Sequence, residues 1–325
     1  MKRRMKLAVV MLLGGCIVAT GQGTGYEING IQIPKDTIRI EHKCATVSEQ
    51  SVTVPALQED VLTLGTGIAD MRVAYKRYRN AAPGFPGEHP SLTSSSMGVG
   101  IGVSPDPWHW HYADSTRIFV NGKSVFADRE AVKMDWREGL DYGRVHFTWD
   151  APEANITLNI AVPGNRMVAY VEYLIEPKGE IDSIDIRLRC FPAAYAGGPD
   201  GRPSHRWVST PGQSVEVRRG EPGQKLPFTD QDGWVFFADK HHDYQYGRGF
   251  GPVGLVLAEG DGAITGEVIV TGYGVDAVLH CAPECRRVRF AMHAFTFYPN
   301  SHALETLKKR SEADQEILQT LSFWQ

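Results

Sequence analysis

The chain has 325 residues, a formal net charge of -4 and a sequence pI of about 6.3. This balance excludes the basic surface on which nucleic-acid binding depends, and apart from residues 2–6 no basic run indicates a membrane-surface patch. With 34 glycines, 19 prolines and 10% aromatic residues, the composition is typical of a turn-rich β protein.

Residues 1–21 have the features of an export leader. A basic segment, residues 1–6, precedes an apolar segment, residues 7–13, that is shorter than the ~20 residues needed to span a bilayer. The following Leu-Gly-Gly-Cys resembles the bacterial lipobox, which implies lipidation of Cys16 and a lipid-anchored protein of the periplasm or cell surface. The alternative is cleavage after residues 19–21. In both cases we expect export and one domain over residues 22–325.

Four further cysteines, Cys44, Cys190, Cys281 and Cys285, allow three disulfide pairings in an exported protein. We expect Cys281 and Cys285 to close a small turn loop, and Cys44 and Cys190 to form a long-range disulfide. The alternative is a thiolate metal site, for which one Cys-x3-Cys pair is a weak signal.

Short segments of alternating apolar and polar residues dominate residues 30–300. Alternation with a period of two predicts strands with one buried face, the pattern of antiparallel sheets. More than a dozen such segments predict an all-β fold: a large antiparallel two-sheet β-sandwich, supersandwich-like, with a C-terminal helix. The clearest segments are residues 37–42, 71–78, 144–149, 155–162, 167–176, 184–189, 214–218, 265–271 and 287–292.

Residues 117–126 predict a β-hairpin. Asn121 and Gly122 lie between two alternating segments, and this dipeptide readily takes the positive φ angles of a type I′ turn.

Residues 105–112 contain two rows of rings. In a strand, Trp108, Trp110 and Tyr112 lie on one face, and His109 and His111 lie on the other. We expect the aromatic row to bind sugar, since aromatic faces stack on the apolar faces of sugar rings. The competing interpretation places these rings in the core.

The sequence offers candidate ligands for one cofactor, a divalent metal ion. His109 and His111 are spaced as two ligands on one strand, and His241 or His242 would supply a third.

Two loops carry the remaining candidates. His205, Arg206 and Trp207 offer a base, a cation and a stacking ring, so we predict that they bind substrate. Residues 239–249 form a predicted hairpin tip dense in chemistry. We predict catalytic roles there, with Arg248 holding a carboxylate and the other side chains transferring protons. These other residues are His241, His242, Tyr244 and Tyr246.

Apolar residues from position 301 recur at helical spacing and predict a helix over about 301–322. Asn300 or Ser301 is the expected N-cap.

The layout of residues 30–300 resembles the very large two-sheet sandwich of galactose-mutarotase-like proteins, many polysaccharide lyases and non-catalytic domains of glycoside hydrolases. The resemblance rests on residues 167–177, the strand that leads into residues 190–192, and the later strands within residues 253–280. It implies a carbohydrate or polysaccharide partner, without a matching catalytic motif.

The leading hypothesis is a carbohydrate-active protein with a lyase-like site for an acidic glycan, built from the histidine, tyrosine and arginine side chains of residues 241–248. One alternative is a non-catalytic carbohydrate-binding protein of the cell envelope. Another is a structural or interaction module. The structural module predicts that the candidate loops scatter over the surface, whereas convergence of these loops in space favours an enzyme.

Overall fold

A computed structural model describes residues 25–28, 31–34, 38–48, 57–67, 70–78, 98–103, 116–126, 129–192, 203–241, 251–258, 264–295 and 298–324. Within these ranges the chain is mostly strand, with one long α-helix near its C-terminal end. No helix in the described part of the chain combines the length and hydrophobicity needed to cross a bilayer.

The described strands are numbered here in chain order. They are β1 (Gly25–Ile28), β2 (Ile31–Pro34), β3 (Ile40–Ser48), β4 (Leu57–Gly65), β5 (Asp70–Tyr78), β6 (Gly98–Val103), β7 (Thr116–Val120), β8 (Lys123–Ser124), β9 (Lys133–Arg137), β10 (Tyr142–Asp150), β11 (Ala154–Pro163), β12 (Val168–Pro177), β13 (Ile184–Cys190), β14 (His205–Ser209), β15 (Ser214–Arg218), β16 (Gln224–Thr229), β17 (Trp234–Asp239), β18 (Val253–Leu257), β19 (Ile264–Val270), β20 (Val275–Cys281) and β21 (Arg287–Ala294). The helix α1 spans Asn300–Thr320, and a short 3-10 helix spans Asp230–Asp232.

Two large antiparallel sheets confirm the predicted all-β sandwich. The nine-stranded sheet has the order β15-β14-β17-β18-β21-β12-β11-β10-β9. The ten-stranded sheet has the order β16-β19-β20-β13-β7-β6-β5-β4-β3, with β8 paired to β7, and β1 and β2 form a separate hairpin. The core lies between the two large sheets and is built from inward side chains of both, such as Phe147, Tyr173, Leu188 and Leu279.

The predicted hairpin turn at Asn121 and Gly122 is confirmed. Both residues have positive φ, 51° and 74°, and they join β7 to β8. The Asn121 side chain also accepts a hydrogen bond from the backbone N–H of Asp182 at 2.8 Å. This contact ties the turn to the segment that precedes β13.

The predicted disulfides are not formed among the four described cysteines. Cys44 lies on the edge strand β3 and Cys190 on β13, five strands away in the same sheet. At ~4.8 Å per strand the two are separated by roughly 24 Å, far beyond the reach of a disulfide. Cys281 and Cys285 are both buried at the turn between β20 and β21, where the hydrogen bond between them raises the pKa of Cys281.

Helix α1 confirms the predicted terminal helix, but the expected N-cap was wrong. Pro299 takes the N-cap position, and the side-chain amide of Asn300 instead donates to the backbone oxygen of Asp239 at 2.8 Å. The apolar side of the helix packs on the outer face of the nine-stranded sheet. Its Leu307 and Leu318 meet the sheet residues Phe236 and Ala291 in a second hydrophobic cluster.

A buried polar cluster holds α1 to the sheet through Asp314, whose side chain is fully buried. One oxygen of Asp314 accepts hydrogen bonds from Arg166 and from the Tyr170 hydroxyl, each at 2.6 Å. His293 Nε2 lies 3.0 Å from the other oxygen. Burial alone would raise the pKa of Asp314, but His293, Arg166 and Tyr170 together hold it well below its usual range.

We predict that Asp314→Asn lowers the free energy of unfolding by about 2–3 kcal/mol at pH 7, because it leaves the half-buried Arg166 without its carboxylate partner. The folded pKa of Asp314 is depressed, so its contribution is present above the unfolded carboxyl pKa and is lost as pH falls. The deficit of the variant relative to the native chain should therefore shrink below about pH 4. Urea denaturation across pH measures both effects.

The control is Asp182→Asn, at an exposed position, which should change the free energy of unfolding by less than about 0.5 kcal/mol. A pH-independent deficit for Asp314→Asn would contradict the assignment of an ionised Asp314.

Candidate functional site

His205, Arg206 and Trp207 were expected on a loop, but they lie on strand β14, which places them on opposite faces of the nine-stranded sheet. The alternation of the strand places His205 and Trp207 on the outer face and directs Arg206 inward, as its burial pattern shows. β14 lies between β15 and β17, whose outward residues in register include Glu216 and Ala238.

Arg206 was predicted to bind substrate, and the structure places its side chain fully in the interior. Its guanidinium donates to the backbone oxygens of Tyr273, at 2.8 Å from Nη2, and of Pro192. It lies 3.5 Å from a carboxylate oxygen of Asp239. Burial lowers the pKa of Arg206, and the negative charge of Asp239 opposes this shift. Arg206 is therefore a buried structural cation beneath the site.

One carboxylate positions the backbone of both described candidate histidines. Asp239 Oδ2 accepts the backbone N–H of His205, and Oδ1 accepts the backbone N–H of His241, each at 2.9 Å. The imidazole rings of His205 and His241 lie 5.5 Å apart between centroids. His205 and His241 are 36 positions apart in the sequence, yet their side chains lie next to each other, as a shared site requires.

Charged and aromatic side chains surround this histidine pair. His205 Nε2 lies 3.1 Å from Glu216 Oε2, and Lys240 Nζ lies 2.6 Å from Glu216 Oε1. Lys240 also lies over the ring of Trp207, 4.1 Å from its centroid. We call the group His205, Trp207, Glu216, Lys240 and His241 the His205 patch.

The hydrogen bonds of the His205 patch determine which nitrogen of His205 donates to Glu216. The hydrogen bond from Lys240, ahead of smaller contributions from His205, lowers the pKa of Glu216, so this carboxylate is ionised at neutral pH. An ionised carboxylate only accepts, and His205 Nε2 must therefore carry the proton that it donates to Glu216. In neutral His205 this leaves Nδ1 as the basic nitrogen, in a ring oriented by a carboxylate.

Several predicted site residues lie outside the described residues, and their roles stay predictions. They are Cys16, Trp108, His109, Trp110, His111, Tyr112, His242, Tyr244, Tyr246 and Arg248. The strands that flank residues 242–250 are described: β17 and β18 pair as antiparallel neighbours, which confirms the predicted hairpin.

Within the described ranges, no group of three or more His, Cys, Asp or Glu side chains is arranged to hold a metal ion. The predicted metal pair, His109 and His111, falls outside those ranges.

Sequence reasoning missed Glu216 and the part played by Asp239. Glu216 is exposed on the alternating strand β15, but its proximity to His205 depends on the pairing of β14 with β15. Asp239 is a buried acid at the end of an apolar strand, and a buried acid needs a partner. That signal could have indicated its role.

No protein-family model and no curated protein matches the sequence. Among solved structures, the galactosidase domain of an α-galactosidase–sucrose kinase aligns at 12% identity with a TM-score of 0.42, over 71% of this chain and 40% of that one. A GH36 α-galactosidase from Geobacillus stearothermophilus aligns at 11% identity with a TM-score of 0.40, over 78% and 41% of the two chains. This chain matches about two fifths of the length of these enzymes, and such TM-scores assign it neither a fold family nor an activity.

We predict that Asp239→Ala costs about 3–5 kcal/mol of unfolding free energy, because it strands the buried charge of Arg206. The double variant Arg206→Met, Asp239→Ala should lose less than the sum of the single variants. Urea denaturation of the four proteins measures this coupling energy.

The matched control is the exposed pair Lys225–Glu267, with Nζ and Oε1 2.9 Å apart, for which Glu267→Ala should cost at most about 1 kcal/mol. Simple additivity at Arg206 and Asp239 would contradict their pairing.

Proposed function

We propose that the protein is an exported carbohydrate-active protein that binds an acidic polysaccharide at the His205 patch and cleaves it by β-elimination. The observation that carries the proposal is the adjacency of His205 and His241, oriented by Asp239 and flanked by Lys240 and Trp207. Two histidines in one site supply the base and the acid that a lyase needs near neutral pH.

The reaction balances without a cofactor. Neutral His205, with its proton on Nε2 and hydrogen-bonded to Glu216, uses Nδ1 to remove the proton α to the uronate carboxylate. The C–H electron pair forms the carbon–carbon double bond as the glycosidic C–O bond breaks. Protonated His241 donates its proton to the leaving oxygen, so one proton enters the enzyme and one leaves it.

The other members of the patch have supporting roles. Within the His205 patch, the Lys240 ammonium would stabilise the negative charge that develops on the uronate. Trp207 offers an aromatic surface to a sugar ring, although Lys240 already lies over part of it. Arg248, Tyr244 and Tyr246, on the loop that follows His241, are proposed to complete the carboxylate and proton-transfer contacts.

A second candidate function is non-catalytic carbohydrate binding. It is favoured by the state of the described side chains, since Lys240 and His205 already pair with Glu216 and only 13% of the His205 side chain is exposed. On this alternative Trp207 and Lys240 bind the glycan, and the histidines only shape the patch.

We also propose that the protein is exported and, more specifically, that Cys16 is lipidated. Cell fractionation and radiolabelled palmitate incorporation test it directly: Cys16→Ser should abolish the label and release the protein from the membrane fraction. Equal labelling of both proteins would contradict the anchor.

The catalytic test is the ultraviolet absorbance of unsaturated uronate products, with polygalacturonate, alginate and a hyaluronan-type glycan as substrates. We expect product from one of these acidic glycans. His205→Gln and His241→Gln should each lower kcat by at least about 100-fold, the usual contribution of a general acid or base. Absence of product from every acidic glycan contradicts the lyase proposal.

The control variant is His280→Gln. His280 is an exposed histidine on the other sheet, with Nδ1 hydrogen-bonded to Asp185 at 2.7 Å, so it matches the chemistry but not the position. It should retain full activity. Retained glycan binding without product, weakened by Trp207→Ala but not by His241→Gln, would replace the lyase with the binding function.

A further inference from the structure

A continuous polar row crosses the outer face of the nine-stranded sheet, away from the His205 patch. His146, Asn159, Glu172 and Arg289 occupy directly opposed positions on the neighbouring strands β10, β11, β12 and β21. Asp135 on β9 extends the same line beside His146. We call the first four residues the polar row.

The hydrogen bonds of the polar row form an unbroken chain. Arg289 Nε and Nη2 donate to Glu172 Oε1 at 2.8 and 2.6 Å. Glu172 Oε2 accepts from Asn159 Nδ2 at 2.8 Å. The carbonyl oxygen of Asn159 therefore faces His146 Nδ1, 2.8 Å away, and His146 must donate from Nδ1.

In neutral His146 the basic nitrogen is therefore Nε2. Burial lowers the pKa of His146, and the hydrogen bond to Asn159 only partly opposes this shift. The row thus presents a base, an amide and a guanidinium–carboxylate pair along one line.

The segment after α1 covers this row. The ring of Trp324 stacks on His146, with centroids 4.8 Å apart and planes inclined by 21°. The Arg289 guanidinium lies 5.3 Å from the ring of Phe323, and its Nη1 donates to the backbone oxygen of Leu318 at 2.6 Å. We call residues 321–324 the strap.

Beneath the strap, the outer face of the sheet is buried almost as completely as the core. His146, Asn159 and Glu172 are each at least nine-tenths buried. Burying such a set offers little net stability over an apolar surface, because desolvation of the ions offsets much of their attraction. A fully connected polar row beneath a short segment is better explained as a recognition surface than as a packing surface.

The charges around Trp324 define what this surface would recognise. The Arg137 guanidinium lies 4.5 Å from the centre of the Trp324 ring. Arg144 Nε donates to the backbone oxygen of Ser322 at 3.4 Å. Lys133 also borders the row, and its Nζ lies 3.7 Å from Asp135 Oδ2. Arg137 and Arg144 thus contact the strap, and Lys133 lies next to Asp135 at the end of the row.

We infer that the polar row is a second ligand site, specific for a sugar ring that bears a carboxylate, and that the strap closes it by placing Trp324 where the ring would bind. The apolar face of the sugar replaces Trp324 on His146, and the carboxylate pairs with Arg137 and Arg144. The row and the His205 patch flank α1 on the same sheet face, and this inference does not depend on the activity proposed for the patch.

Calorimetric titration of the full chain with a galacturonate tetramer tests the site. A strap that is closed about nine-tenths of the time weakens apparent affinity tenfold, so Trp324→Ala should tighten binding by about tenfold. Adding Arg137→Met should reverse this gain, and adding Lys225→Met, an exposed cation on the other sheet, should not. A neutral galactose tetramer should bind neither the native chain nor the Trp324→Ala variant.

Hydrogen exchange of the native chain provides the readout that depends on no variant. Galacturonate tetramer should accelerate exchange in residues 321–324, because the strap is displaced. A response confined to residues 205–216 and 240–241 would support the His205 patch and overturn the second site. Unchanged affinity in Trp324→Ala overturns the strap, and equal gains for benzoate and galacturonate overturn the sugar specificity.

Discussion

The central strands of the nine-stranded sheet are buried on both faces, and the other features of the structure depend on this constraint. Every residue of β17 and of β18 is buried, so both faces of these strands need a covering layer. The ten-stranded sheet covers one face and α1 covers the other. The fully buried Asp314 fixes the helix through Arg166, Tyr170 and His293.

The position of α1 also organises the polar chemistry of this face. At its beginning, Asn300 donates to the backbone oxygen of Asp239, whose carboxylate holds His205 and His241. At its end, the oxygen of Leu318 accepts from Arg289 of the polar row, a favourable place for a cation beside a helix C-terminus. One helix thus separates two polar regions and contacts both. We propose a glycan-cleaving role for the first and acidic-sugar recognition for the second.

Local patterns in the sequence were enough to predict the architecture. The Asn121-Gly122 turn and α1 follow from short-range rules. Contacts between distant strands were not predictable, because they depend on strand order and register. Cys44 and Cys190 therefore appeared compatible as a pair although five strands separate them, and Arg206 appeared to be a surface cation although Asp239 holds it in the interior.

The central claim is that His205 and His241 form one site for an acidic glycan. Histidine-selective NMR during titrations with galacturonate, alginate and hyaluronan oligomers tests it most directly. The account predicts that the imidazole resonances of His205 and His241 shift together, at one ligand concentration midpoint, while those of His280 stay fixed. Shifts of His280, or no shift of either patch histidine at saturating ligand, would contradict it.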